Sequence, residues 1–149
     1  MSTTSTEVRK RESGASSVSP WTWIVIAGAL VVVVGSFLPW VKAITSTGSV
    51  TLNGVSTDGK FTLIFGAVGL ICGVLAVYSD RIEWLFGTGM VLLVSAVFSG
   101  LDLATLPHPA TAYTSLNWDV GIWLCFVGSL IGFLASIAAV EIYLRRKSS

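Results

Sequence analysis

One histidine, two cysteines and a single carboxylate inside an apolar run are the residues of this 149-residue chain whose types could do chemistry. His108 lies between Pro107 and Pro109. A zinc site takes three or four N, S or O ligands. Neither cysteine is near His108 and the acids of its loop are far apart, so no metal ligand is assigned. A Ser-His-Asp set can be counted, but no serine carries the G-x-S-x-G turn that aims a nucleophile, and no catalytic residue is assigned. No glycine-rich phosphate loop is present; Gly87-Thr88-Gly89 falls inside an apolar run and reads as helix packing. No cofactor site follows.

Cys72 and Cys125 lie in different apolar runs at different depths, which argues against a bridge on geometry. They read as small packing residues. The absence of C-x-x-C excludes quinone-linked thiol oxidoreductases of the four-helix type. Glu141 lies about one turn from the end of the last apolar run, with Arg145 at i+4 in the favourable Glu-before-Arg order. Acids within spans are functional candidates by default; here pairing with Arg145 is the stronger reading. The span middles otherwise lack charge, which argues against ion channels, proton relays and drug/proton antiporters. The small multidrug exporters place a carboxylate deep in their first helix, and residues 24–38 contain none.

The elements that would position these groups are four long apolar segments, Trp21–Val41, Phe61–Tyr78, Trp84–Leu101 and Val120–Leu144. A bilayer core about 30 Å thick needs about 20 apolar residues per helix. Hydrophobic residues make up 53% of the chain and charged residues 11%, where a soluble domain carries about 25% charge. Trp21, Trp23, Trp40, Trp84, Trp118 and Trp123 all fall at segment ends, where an indole's apolar ring and single N–H suit the headgroup level. The sequence therefore predicts an all-α membrane protein: four transmembrane helices in an antiparallel bundle, occupying 21–144. Residues 1–20 read as a disordered cytoplasmic tail and 145–149 as a basic cytoplasmic tail. The first run exceeds a signal peptide's h-region and reads as an anchor that stays in place.

Seven of nine basic residues (Arg9, Lys10, Arg11, Arg81, Arg145, Arg146, Lys147) fall on one side of this topology and two (Lys42, Lys60) on the other. Basic residues accumulate in cytoplasmic loops. Both termini are therefore expected in the cytoplasm, and loops 42–60 and 102–119 outside. The 41–58 stretch alternates, and Asn53-Gly54 between β-prone runs is a strong hairpin signal, with an earlier turn at Thr47-Gly48. A small extracytoplasmic hairpin or meander of two or three strands is expected in the first outer loop, resting on the helix ends or on the second loop. Asp58 and Asp119 are expected to cap the helices that follow them, and Asp80 with Glu83 resembles a capping box. The 102–119 loop shows no strong period.

Small residues recur at spacing four: Gly69 and Gly73 with Gly66 nearby, Ser95 and Ser99, and Gly128, Gly132 and Ser136. Such stripes let helix backbones approach closely in lipid. They serve either packing within the chain or a face for a membrane-protein partner or a second copy. The formal net charge of +1 gives no reason to expect nucleic acid; the bilayer itself is the expected surrounding.

Leu38-Pro39-Trp40, then Asp58-Gly59-Lys60-Phe61-Thr62-Leu63-Ile64-Phe65-Gly66, then Val120-Gly121-Ile122-Trp123-Leu124 resemble a loose group of uncharacterised small four-helix membrane proteins of actinobacteria or their phages. The resemblance spans about residues 21–144 and implies topology and a bacterial cytoplasmic membrane, not chemistry. The architecture is also similar to claudin-type proteins, but their W…GLW…C…C loop pattern is missing and no junctional role carries over. The expected function is non-enzymatic: an accessory or interaction subunit of a membrane assembly. A phage-encoded holin or superinfection-exclusion factor is the alternative, with a small transporter or channel behind it.

Overall fold

The computed structural model describes residues 19–45, 47–56, 59–79, 81–105 and 115–148. Four helices account for most of them: α1 Pro20–Phe37, α2 Gly59–Ser79, α3 Ile82–Ala104 and α4 Val120–Ser148. All four are long and apolar enough to cross a membrane. Pro20 starts α1 in the first turn, where its missing N–H costs no bond. Asp119 stands before α4, and its Oδ1 accepts from the Val120 N–H at 2.7 Å. Asp58, Asp80, His108 and the 1–18 tail lie outside the described residues.

Two boundaries differ from the sequence expectation by four residues, the others by less. The first helix stops at Phe37 rather than Val41, because Pro39 cannot continue it and Leu38 turns to extended geometry. α4 runs on through Arg145 to Ser148, so the basic residues expected as a tail lie on its last turn.

α1 packs chiefly on α4, α4 on α3, α3 on α2 and α2 on α1, with little across the α1–α3 diagonal. In α1 the buried side chains are Thr22, Val25, Ala29, Val32 and Ser36, alternating three and four residues apart; α3 repeats the pattern at Leu85, Thr88, Leu92, Ser95 and Ser99. This spacing is the heptad seam of helices that pack nearly in line. The central cluster is Val25, Ala29, Val32, Leu85, Leu92, Ala135 and Ala139.

The β-structure is a three-stranded antiparallel sheet of order β2-β1-β3, with β1 Pro39–Thr45, β2 Gly48–Asn53 and β3 Ser115–Trp118. The third strand comes from the connection after α3, where no period was legible, so the sheet is not confined to the first loop. The hairpin turns at Thr47-Gly48, where Gly48 has φ 152°. Asn53-Gly54 is not that turn. Asn53 ends β2 opposite Pro39, and Gly54 opens a 3-10 turn, Gly54–Ser56.

Candidate functional site

The sheet end of the molecule is organised by Trp40. β1 advances from Pro39 to Val41 while β2 advances only from Asn53 to Leu52, so Trp40 is the extra residue of a β-bulge. Bulges re-aim a side chain. The indole is 2% exposed and its Nε1–H donates to the Gly35 carbonyl at 3.0 Å. It packs with Val41, Ile122 and Cys125, against which Leu103 and Trp118 lean. Its backbone carbonyl accepts from the Asp119 N–H at 2.8 Å, tying the start of α4 to β1. Two glycines make room for the ring: a Cβ at Gly54 would collide with the indole, and one at Gly121 would lie 2.6 Å from its Cδ1. Among the six tryptophans expected as headgroup anchors, Trp40 is therefore an interior strut. Trp21, Trp23, Trp84 and Trp123 are exposed at the first turns of α1, α3 and α4. Trp118 is half-buried, and its buried Nε1 has no partner among the described residues.

The eight small residues singled out from spacing, Gly66, Gly69, Gly73, Ser95, Ser99, Gly128, Gly132 and Ser136, are all buried inside the chain's own helix contacts. The glycines of α1 and α4 meet main chain to main chain: a Cβ on Gly28 would lie 2.9 Å from both the Gly128 carbonyl and the Gly132 Cα. Higher in the same pair, a Cβ on Gly35 would meet Cys125 Sγ at 2.8 Å and the Gly121 carbonyl at 3.1 Å. Gly28 and Gly35 were not singled out from spacing four. They stand seven apart, in register with Ala29 and Ser36, and a heptad count would have found them.

Four buried hydroxyls donate within their own helix. Ser36 donates to the Val32 carbonyl at 2.9 Å, Thr88 to Trp84 at 2.8 Å, Ser99 to Ser95 at 2.9 Å and Ser136 to Phe133 at 2.7 Å. Between α4 and α3, Ser129 Oγ donates to Ser95 Oγ at 3.0 Å. Cys125 Sγ donates to the Val32 carbonyl at 3.4 Å and lies 3.8 Å from Ser36 Oγ. Both cysteines are free thiols. Glu141 and Arg145 pair as expected, Arg145 Nη2 to Glu141 Oε1 at 2.6 Å and Nε at 3.1 Å, on an exposed helix surface. Among the described residues, no group of three or more His, Cys, Asp or Glu could hold a metal ion.

No protein-family model, no curated protein and no solved structure matches this chain.

What the arrangement offers is surface. The helix interior is mostly glycine, alanine, serine and threonine around Val25, Val32, Leu85 and Leu92. At the sheet end, β2 is exposed at all six residues, and among the described strands it pairs with β1. Its side chains carry no charge: Ser49, Thr51 and Asn53 are polar, and Val50 and Leu52 are apolar.

Proposed function

We propose that this chain is a multi-pass protein of a bacterial cytoplasmic membrane, an antiparallel four-helix bundle with both termini cytoplasmic. In this reading it acts without catalysis, as an accessory or interaction subunit of a membrane assembly. The observation that carries the membrane reading is an inverted distribution of side-chain size. The buried positions of the helices are mostly Gly, Ala, Ser and Thr, while Leu30, Val34, Phe37, Ile64, Ile71, Phe86, Val97 and Leu134 are half-exposed or more. Water would drive these large side chains inward at about 25 cal/mol per Å², and soluble monomers rarely expose large contiguous apolar area. Lipid removes that drive, and close packing of small residues then decides which faces meet. The seven-to-two split of basic residues supports the orientation, and the three short motifs that resemble small actinobacterial membrane proteins support the host class.

The interaction reading rests on the sheet end. It is held by the Trp40 strut and by the Asp119–Trp40 backbone bond, with an uncharged strand at its edge. Orientation is tested by single cysteines in a cysteine-free background with a membrane-impermeant thiol reagent. Ser49→Cys is expected to label in intact cells and Ser148→Cys only after lysis; labelling of Ser148→Cys in intact cells overturns the topology. The interaction role is tested by affinity capture in mild detergent. Capture of the same membrane protein by the wild type and its loss with a Val50→Lys variant supports the role. Capture of no membrane protein beyond the chain itself removes the accessory role.

A further inference from the structure

We infer that β2 is a docking edge for a second copy of this chain, the two copies pairing their β2 strands antiparallel about Thr51; the inference rests on the membrane reading above. Sheet edges are usually blunted by charge, proline, short length or cover. β3 is short, at four residues. β2 has six residues, no charge and no proline, and every one of them is exposed.

The strand is also self-complementary. Cα partners in the β1–β2 ladder put Val50 opposite Ala43 and Leu52 opposite Val41, so these four share one face, while Thr51 lies opposite Lys42 on the other. Val41 and Ala43 are buried beneath the sheet, but Val50 is 52% and Leu52 41% exposed. The apolar underside thus continues past the part of the sheet that is covered. An antiparallel copy centred on Thr51 sets Val50 against the partner's Leu52, Leu52 against the partner's Val50, and Thr51 against its own counterpart. Apolar meets apolar on the underside, no like charges meet, and the main-chain ladder extends from three strands to six, the usual mode of strand addition.

The bilayer adds a symmetry condition. Two copies inserted the same way up can be related only by a two-fold axis along the membrane normal. An antiparallel edge pair has its two-fold perpendicular to the sheet and keeps both undersides on one side. The sheet packs on Ile122 and Cys125 in the first two turns of α4, and the pairing meets this condition when the perpendicular of the sheet runs along the membrane normal. Sharing a membrane and an orientation also lowers the ordering cost that a strand this short would otherwise fail to offset in solution.

The experiment is oxidative cross-linking in native membranes with Cys72 and Cys125 replaced by Ala. Directly opposed antiparallel residues have Cα atoms about 4.5–5.5 Å apart, within disulfide range, so Thr51→Cys is expected to give a covalent dimer. Ser49→Cys places its two copies about 13 Å apart along the strand and is expected to give roughly tenfold less dimer. Val50→Lys added to Thr51→Cys is expected to abolish the cross-link, and Leu52→Glu added to both to restore it, because the new charges then face one another across the axis. Equal yield from Thr51→Cys and Ser49→Cys, no yield from either, or no rescue by Leu52→Glu overturns the inference. Each membrane sample is also washed with alkaline carbonate. A chain stripped off by the wash takes down the membrane reading and this inference with it, whereas a chain that stays and does not cross-link takes down the inference alone.

Discussion

The α1–α4 contact at Gly28 and the seat of α2 at Gly69 are built from the same residue types and differ in how close the helices come. At Gly28 a methyl group would run into the main chain of Gly128 and Gly132. At Gly69 on α2 it would meet Leu92 side-chain carbons at 3.6 Å and the Ala29 methyl at 3.8 Å, ordinary van der Waals contact. The share of each helix that is buried follows: 44% of the apolar window of α4 but 22% of that of α2. Small-residue spacing therefore marks a helix face without stating the distance at which it is used. That distance depends on whether glycine on one helix meets glycine or a branched side chain on the other.

The sharpest way to break this contrast is to add the same kind of bulk on both sides. Gly28→Val is expected to force α1 from α4, at or beyond the upper end of the roughly 1–3 kcal/mol that overpacking costs, because the obstacle is backbone and cannot rotate away. Gly69→Ala is expected to be neutral or to stabilise by up to about 1 kcal/mol, through lower chain entropy and higher helix propensity. Unfolding in detergent, followed by circular dichroism, separates them. Similar midpoints for the two variants would remove the distinction between the contacts.

Next in size is the sheet end, where a single side chain does what glycine contact does lower down. Trp40→Phe keeps a ring but loses the Nε1–H bond to the Gly35 carbonyl and part of the packing on Ile122 and Cys125. The Gly35 carbonyl keeps a second donor, the Leu38 N–H at 3.2 Å, so no orphan acceptor is created. The expected cost is about 1–2 kcal/mol from the lost bond and the void, concentrated at the sheet end. Amide exchange should accelerate in β1 and β3 while the amides of α2 stay protected. Uniform acceleration over the whole chain would mean that Trp40 is not a local strut.

How much of this was legible in the sequence follows the physics of each signal. Element type was legible for all four helices, because twenty or so apolar residues with aromatic ends leave few alternatives. The buried face of α1 was not. In lipid both faces of a helix are apolar, so hydropathy does not tell Val25 from Leu30; side-chain size does, and Thr22, Ala29, Ser36, Gly28 and Gly35 carried that signal at heptad spacing. Asn53-Gly54 misled because the pair usually marks positive φ, whereas here Gly54 is required for want of a Cβ beneath Trp40. Trp40 itself read as a headgroup anchor because nothing in Leu-Pro-Trp announces a bulge. The β3 strand was invisible in four residues, since its pairing with β1 is fixed by a partner more than seventy positions away.

A smaller effect tests the α3–α4 side. Ser129→Ala removes the hydroxyl bond from Ser129 to Ser95 between those helices. Interhelical hydroxyl bonds in membrane proteins average about 0.6 kcal/mol, and Ser95 is left with its own hydroxyl free to turn to nearby backbone. A midpoint shift of that order in the same unfolding assay is expected, well below the Gly28→Val effect. A loss as large as Gly28→Val would mean that α3 and α4 are held by polar contact rather than by packing.

The smallest expected effect is at Glu141. Its carboxylate and the Arg145 guanidinium are both largely exposed, 58% and 78%, and exposed i,i+4 pairs contribute about 0.3–0.5 kcal/mol, less in salt. Glu141→Gln keeps size and hydrogen-bonding capacity while removing the charge. If the pair only dresses the last turns of α4, the variant should match the wild type in expression, in unfolding midpoint to within a few tenths of a kcal/mol, and in cross-linking through Thr51→Cys. A group that carries a proton or holds a cation would behave otherwise: the isosteric change would leave the fold intact and abolish the cellular phenotype. A folded but inactive Glu141→Gln protein would therefore make this end of α4, rather than the sheet end, the place where the chain does its work.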